Sequence, residues 1–454
     1  MPCTSALDLH LPRITGPDIH CPVWCCTPGP GRSLHRFFDT SPISPDGRRL
    51  AVFRMPFEDR LNRSGEIGEV VVVDLDTGEE RAVAQTAGWE PQLGCNLNWA
   101  GNDHLVFNDV DTESWTPMCV NLDVRTGRSE RSPGGVYHVS PDGRYAAAAS
   151  TEKMRRTQLG YGVLVPDAHS RRNIGAVDDD GLFITDLQTG ARSLVVTLAD
   201  AAALIPELRD LSPSELEAWE VYGFHSKWSP AGDRLIFTVR RYLHENLDRF
   251  NAFDRATQGM QVRFDVFTCR PDGSELCNAL PARRWDHGGH HINFAPNGQS
   301  LTANIRLHPD EPLSLIRVGV DGQGFCKLTD NIPGSGHPTL HPNERHLLTD
   351  TYTHEALSFG DGTVPLRWID LDRNTEEMLL RTGARVVPEH NRALRVDPHP
   401  AWDRSWQWVV FNGTDASNTR RVYLADLSRH LSQARPSSTS SQPQAACTPT
   451  ASPA

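Results

Sequence analysis

One pattern recurs along the chain: a short apolar strand, a Pro-Asx-Gly turn, then a second apolar strand. Clear copies are "ISPDGRRLAVFR" (Ile43–Arg54), "VSPDGRYAAAAS" (Val139–Ser150), "WSPAGDRLIFTV" (Trp228–Val239), "FAPNGQSLTANI" (Phe294–Ile305) and "LHPNERHLLTDT" (Leu340–Thr351). Degenerate copies are "NWAGNDHLVFND" (Asn98–Asp109) and "WDRSWQWVVFNG" (Trp402–Gly413). A β-run ending in a polar turn follows each, as in "VVVVDLDTGEE" and "LFITDLQTGAR". Pro-Asp-Gly and Asp-x-x-Thr-Gly supply turn chemistry between apolar runs, as hairpins require. A four-stranded unit of this kind cannot bury both faces alone, so its neighbours must cover them. The seven copies predict an all-β, seven-bladed β-propeller with small helical and loop insertions over residues 36–431.

The flanks read differently. Residues 1–35 lack the pattern, and a segment there is expected to complete the last blade. The Ser/Thr/Pro/Gln-rich tail, 432–454, is expected to be disordered. Three insertions break the period. Thr151 to Asp180 is polar, and its early "KMRR" (Lys153–Arg156) is a solvated charge run or an anion clamp. Asp200 to Val221 reads as helical, with Ser212 as cap, Pro213 at the first position and Glu215 completing a capping box. Tyr242 to Gln261 reads as helix or loop.

The formal net charge of −12 argues against broad binding to nucleic acid or an anionic membrane. No apolar run reaches membrane-spanning length, and the first residues lack a secretory pattern. Ten scattered cysteines read mostly as reduced thiols, so a cytoplasmic location is expected.

Counting back from each turn proline exposes a second register. His225, His291 and His337 each lie five residues before it, and His399 lies five before Arg404, which aligns with the missing proline. In a propeller this position opens the innermost strand at the channel mouth. Four imidazoles are therefore expected to converge on one small volume. Neutral imidazoles favour a shared cation, and Asp397 adds a hard oxygen donor that shifts preference toward manganese. Strand alternation points His290 away from His291, and His287 reads as loop surface. Lys227 shares the inward side with His225. Arg240 and Arg241 follow the outer strand and suit carboxylates. Tyr161 is a possible proton donor.

At "GHHINFAPNG", "SGHPTLHPNERHLLTD" and "DPHPAWDRSWQWVVFNG" the chain resembles the oligogalacturonide lyases, within the wider set of TolB-like Pro-Asp-Gly propellers. That resemblance implies a single-domain propeller acting on short uronate chains with a divalent metal, usually Mn2+. It implies His291, His337, Asp397 and His399 as metal ligands. Asp397 stands where the family has a histidine, and Leu394 where it has a glutamine ligand. The family's base is a histidine near the place Arg240 occupies, with His244 beyond it. His225 is then a further ligand or the base, and His244 the other candidate base. Arg240 and Lys227 are expected to hold substrate carboxylates. The function implied is a carbon-oxygen lyase cleaving a uronate-containing oligosaccharide by β-elimination. A non-catalytic propeller that binds a protein or ligand fits the repeat equally well.

Overall fold

The computed structural model describes residues 1, 4–243, 262–433 and 448–449. Among these, the strands form six antiparallel hydrogen-bonded sheets, and helices are few and short. Each repeat copy carries a turn and leads into the second strand of a meander. The first meander runs Arg32–Leu34, Arg49–Met55, Gly68–Asp74 and Glu80–Thr86. The nine-stranded sheet holds two meanders linked through one residue pair, Gly383 and Thr414.

The turns form because their side chains satisfy the backbone locally. Ser44 donates to Asp46 at 2.6 Å, Asp46 accepts the Arg48 N–H, and Gly47 takes φ 76°. Ser140, Asp142 and Gly143 repeat this chemistry. The strands between turns bury both faces. Phe53 and Val70 of the first meander pack in one cluster with Trp99, Phe107 and Val120 of the next. This is why the strands read as apolar runs rather than as clean alternation.

The N-terminal segment pairs with the C-terminal one. Val23–Cys25 joins Arg420–Asp426 in the register Val23 to Ala425, and Arg13–Ile14 adds outside it. Trp24 is fully buried there, and its indole N–H donates to Asp8 at 2.9 Å. The chain then returns to the centre, where His35 N donates to Asn412 Oδ1 at 2.9 Å. Residues 36–39 follow directly, with Phe37 and the Asp39 side chain buried.

Three short helices, Leu198–Ala202, Pro206–Arg209 and Pro213–Leu216, make up the expected helical insertion. The Ser212–Glu215 capping box is formed. The helical stretch ends earlier than expected, because Trp219–Trp228 is a strand paired with Leu235–Leu243 on either side of a slip between Gly223 and Ser226. "KMRR" is neither a solvated run nor a clamp. Lys153 bonds Asn173 and Asp180, Arg155 lies 3.4 Å from Glu90, and Arg156 donates to Ser170 O. These contacts tie the insertion to itself and, through Glu90, to a neighbouring loop.

The helix-or-loop expected at Tyr242–Gln261 falls outside the described residues from residue 244 onward. Most of the expected disordered tail does too, although Ser432 and Gln433 belong to the helix Ser428–Gln433. Cys21, Cys25, Cys26, Cys95, Cys119, Cys269 and Cys277 are free thiols. Among the described residues no helix is long and apolar enough to cross a membrane.

Burial of Trp24 on the Arg420–Asp426 strand predicts that Trp24→Ala lowers the unfolding free energy by about 3–5 kcal/mol in urea denaturation. A loss well under about 1 kcal/mol would mean that this pairing contributes little.

Candidate metal centre and cationic cavity

The four histidines of the shared register surround one aromatic ring. Phe37 is fully buried, and its centroid lies 5.6 Å from that of His225, 5.8 Å from His291, 5.4 Å from His337 and 4.7 Å from His399, each edge-on. The inner strands are irregular where these histidines sit. Pairing slips between Gly223 and Ser226 and between His290 and Asn293. His291 and His399 adopt φ 61° and 48°, and Gly336, beside His337, adopts φ 54°. A left-handed backbone costs a side-chain-bearing residue roughly 1–2 kcal/mol and collects at functional positions. It also breaks the alternation of the strand. His290 therefore does not point away from His291, as expected, but brings its Nδ1 within 2.8 Å of the His291 Nδ1.

Hydrogen bonds fix the tautomers. The backbone N–H of His337 donates to Asp350 Oδ1 at 2.6 Å, and its ring Nδ1 lies 2.9 and 3.0 Å from the two Asp350 oxygens. A carboxylate only accepts, so Nδ1 carries the proton and Nε2 keeps its lone pair. That Nε2 is buried with no hydrogen-bond partner. Asp350 Oδ2 also accepts the backbone N–H of His399 at 3.1 Å. Glycine is required at 336, since a Cβ there would lie 2.1 Å from Asp350 Oδ1. Gly336 O lies 2.7 Å from His291 Nδ1, so this ring too is protonated at Nδ1. Its Nε2 then accepts from Tyr352 Oη at 3.1 Å.

His337, Asp397 and His399 offer ligand atoms that all lie within 4.8 Å of one another, and all three are buried. Both ring nitrogens of His399 lack hydrogen-bond partners. Burial, with nearby His337 and His35, holds the His399 pKa well below the usual imidazole range, keeping it neutral. Asp397 Oδ2 makes an ion pair with Arg395 Nε at 2.7 Å but no hydrogen bond. Two imidazoles and a carboxylate, one imidazole oriented from behind by a second carboxylate, are the donors a divalent first-row cation takes. His291 stands outside this group of three, and its ring lies 3.9 Å from that of His337.

A cavity of about 280 Å³ opens beside these residues, lined in part by His225, His290, His291 and Tyr352. Its charged lining is Arg240, Arg306, Arg392 and Arg395 against one carboxylate, Glu355. An acidic chain thus concentrates cations here. Arg240 stacks 3.5 Å over Phe224 and donates to Gln158 Oε1 at 2.7 Å, and burial pushes its pKa down to about 9. His225 stacks on Phe224 and Tyr137, and its buried Nε2 has no hydrogen-bond partner. Burial, with Lys227 and Arg240 nearby, holds it neutral. His287 and the buried Tyr161 line the same cavity.

Lys227 does not reach the cavity. Its fully buried Nζ donates to Ile292 O at 2.8 Å and pairs with Asp39 at 3.0 Å, against Phe37 and Phe38. The segment just before the first repeat copy, distant in sequence, supplies its partner. Arg241 likewise turns away, to Asp265. His244 lies outside the described residues. Arg306 and Tyr352 escaped the sequence reading, yet each directly follows its repeat copy, as Arg240 does. That shared position was the signal.

No family model matches the chain, and no curated protein matches it either. Solved structures do. An oligogalacturonate lyase in complex with manganese aligns over 92% of this chain and 96% of its own, with TM-score 0.59 and 14% identity. The oligogalacturonate lyase of Vibrio parahaemolyticus covers the same shares, with TM-score 0.55 and 12% identity. The β-propeller domain of the Trilobed protease from Pyrococcus furiosus aligns over 86% of this chain and 96% of its own, with TM-score 0.46 and 11% identity. At these identities the likeness is one of fold.

The buried pairing of Lys227 predicts that Lys227→Met destabilises the protein by about 3 kcal/mol in urea denaturation, because Asp39 loses one of two cations. An unchanged midpoint would show that Lys227 is not a structural ion.

Proposed function

We propose that this chain is a seven-bladed propeller that cleaves uronate-containing oligosaccharides by metal-dependent β-elimination at one channel mouth. The observation that carries this reading is the unspent ring nitrogens of His337 and His399 together with Asp397, which Arg395 pairs, beside a cavity walled by arginines. The likeness of fold to oligogalacturonate lyases, one of them holding manganese, is consistent with it.

In this reading His337, Asp397 and His399 hold the divalent cation, with Mn2+ preferred by the mixed nitrogen and oxygen donors. When bound, the metal supplies Lewis acidity toward a uronate carboxylate. The remaining chemistry belongs to the side chains. Arg240 and Arg306 neutralise carboxylates of an anionic substrate that the net charge of the protein would otherwise repel. Neutralising the carboxylate acidifies the proton at C5, because negative charge builds on that group as the C–H bond breaks. His225 is the base. Its burial keeps the imidazole in the neutral form a base must have, and its Nε2 lone pair is unspent. As His225 takes the proton, the C5–H electron pair becomes the C4=C5 double bond and the C4–O4 bond breaks. Tyr161, whose phenol burial keeps protonated, gives its proton to the departing O4.

Incubation with oligogalacturonates and other uronate oligosaccharides in Mn2+ is expected to raise ultraviolet absorbance from an unsaturated uronate. Chelation abolishes the rise and added Mn2+ restores it. His225→Ala lowers kcat by about 10²–10⁴-fold without loss of bound metal. His337→Ala and His399→Ala lose the metal itself, read by elemental analysis. No unsaturated product across the panel rejects the lyase, and metal content unchanged in both variants rejects the centre.

A further inference from the structure

The channel has a second cavity, of about 290 Å³, at the end where the repeat turns lie. Phe38 and Asp39 form part of its wall, while the neighbouring Phe37 touches the four histidines. The segment 36–39 therefore stands between the two cavities. The second one has different chemistry. Its wall carries Trp99, Trp228, Trp402 and Trp406, and its two carboxylates are already satisfied. Asp39 pairs with Arg36 at 2.7 Å and Lys227 at 3.0 Å. Asp403 accepts the N–H groups of Ser405, Gln407 and Trp408.

Two independent features mark this cavity as more than a gap between turns. The first is Trp406. The last residue of the repeat turn is left-handed in six copies. Glycine fills it at 47, 143, 232 and 298, with φ between 67° and 76°, and Glu344 fills it in the sixth copy at φ 59°. In the last copy Trp406 takes the position at φ 56°, closing the same turn by donating its N–H to Asp403 O at 3.1 Å. A large side chain is strained there, and glycine would make the turn without strain. The strain places an indole on the cavity wall, 5.9 Å from Trp402. The second feature is a set of unspent donors. Trp228 Nε1, Trp402 Nε1 and Thr339 Oγ1, on residues of the cavity wall, are buried with no hydrogen-bond partner among the described residues. Buried donors normally find acceptors, and Trp99 Nε1 does so on Pro42 O at 2.8 Å.

We infer that the turn-face cavity is a second binding site, for an uncharged pyranose unit of an oligosaccharide. A pyranose presents C–H faces that stack on indoles and ring and hydroxyl oxygens that accept from indole N–H groups. The carboxylates of the wall are internally paired, and Arg404, its remaining charged group, carries guanidinium N–H donors that sugar hydroxyl oxygens also accept from. The size of the cavity is at the lower limit for small-molecule sites and suits a single ring. This inference does not depend on the metal centre.

Calorimetric titration of the full chain with cellotriose, mannotriose, xylotriose and β-1,4-galactotriose tests it. At least one is expected to bind saturably. Trp406→Gly is expected to weaken that binding at least tenfold while leaving the melting temperature unchanged or higher. Binding persists in the His337→Ala/His399→Ala variant, which separates this site from the metal centre. Silence from all four sugars overturns the inference. So does binding that Trp406→Gly leaves intact, or a melting temperature that falls in Trp406→Gly, which would make the indole a packing element. Saturable binding of free indole with no sugar response also overturns it.

Discussion

Asp350 has no solvent exposure, and its two oxygens are shared among three groups on two inner strands. They take the His337 backbone N–H, the His337 ring and the His399 backbone N–H. A buried carboxylate is costly unless its lone pairs are occupied, so these bonds are conditions for folding as much as for a site. The consequence is directional. Holding the proton of His337 on Nδ1 leaves the Nε2 lone pair free, and holding the His399 backbone places a second imidazole beside it. Gly336 permits this, because any side chain would occupy the space of the Asp350 oxygen.

Around this carboxylate the channel divides into two environments. Phe37 fills the space among the histidines, and Lys227, Arg36 and Asp39 lock the segment that carries it. On one side lies a small cavity rich in arginine and neutral histidine. On the other lie tryptophans and satisfied carboxylates. A chain of net charge −12 can recognise an anion only where it gathers its cations, and the arginines beside the three donors do so.

Much of this organisation is legible in the sequence because it is periodic. Turn residues mark the hairpins, and the count from the turn proline places His225, His291, His337 and His399 at equivalent positions, which in the fold meet around Phe37. What was not legible depends on departures from the period and on distant partners. The left-handed backbone at His291 breaks strand alternation, so the placement of His290 could not follow from alternation. Lys227 pairs with Asp39, and no local pattern announces a partner supplied by a distant segment. Asp350 sits at an ordinary strand end, and its role arises only when two inner strands meet. Arg306 and Tyr352 occupy the same position after their copies as Arg240, so that part of the cavity was available to the count.

His337, His399 and Asp397, shaped by Asp350 and Gly336, form the proposed seat for a divalent cation. Anomalous diffraction from crystals soaked in Mn2+ tests it most directly. One strong peak is expected at bonding distance from His337 Nε2, a His399 ring nitrogen and Asp397, with Arg395 displaced from the carboxylate oxygen it now contacts. No peak among these three side chains, with Arg395 still paired to Asp397, would contradict it.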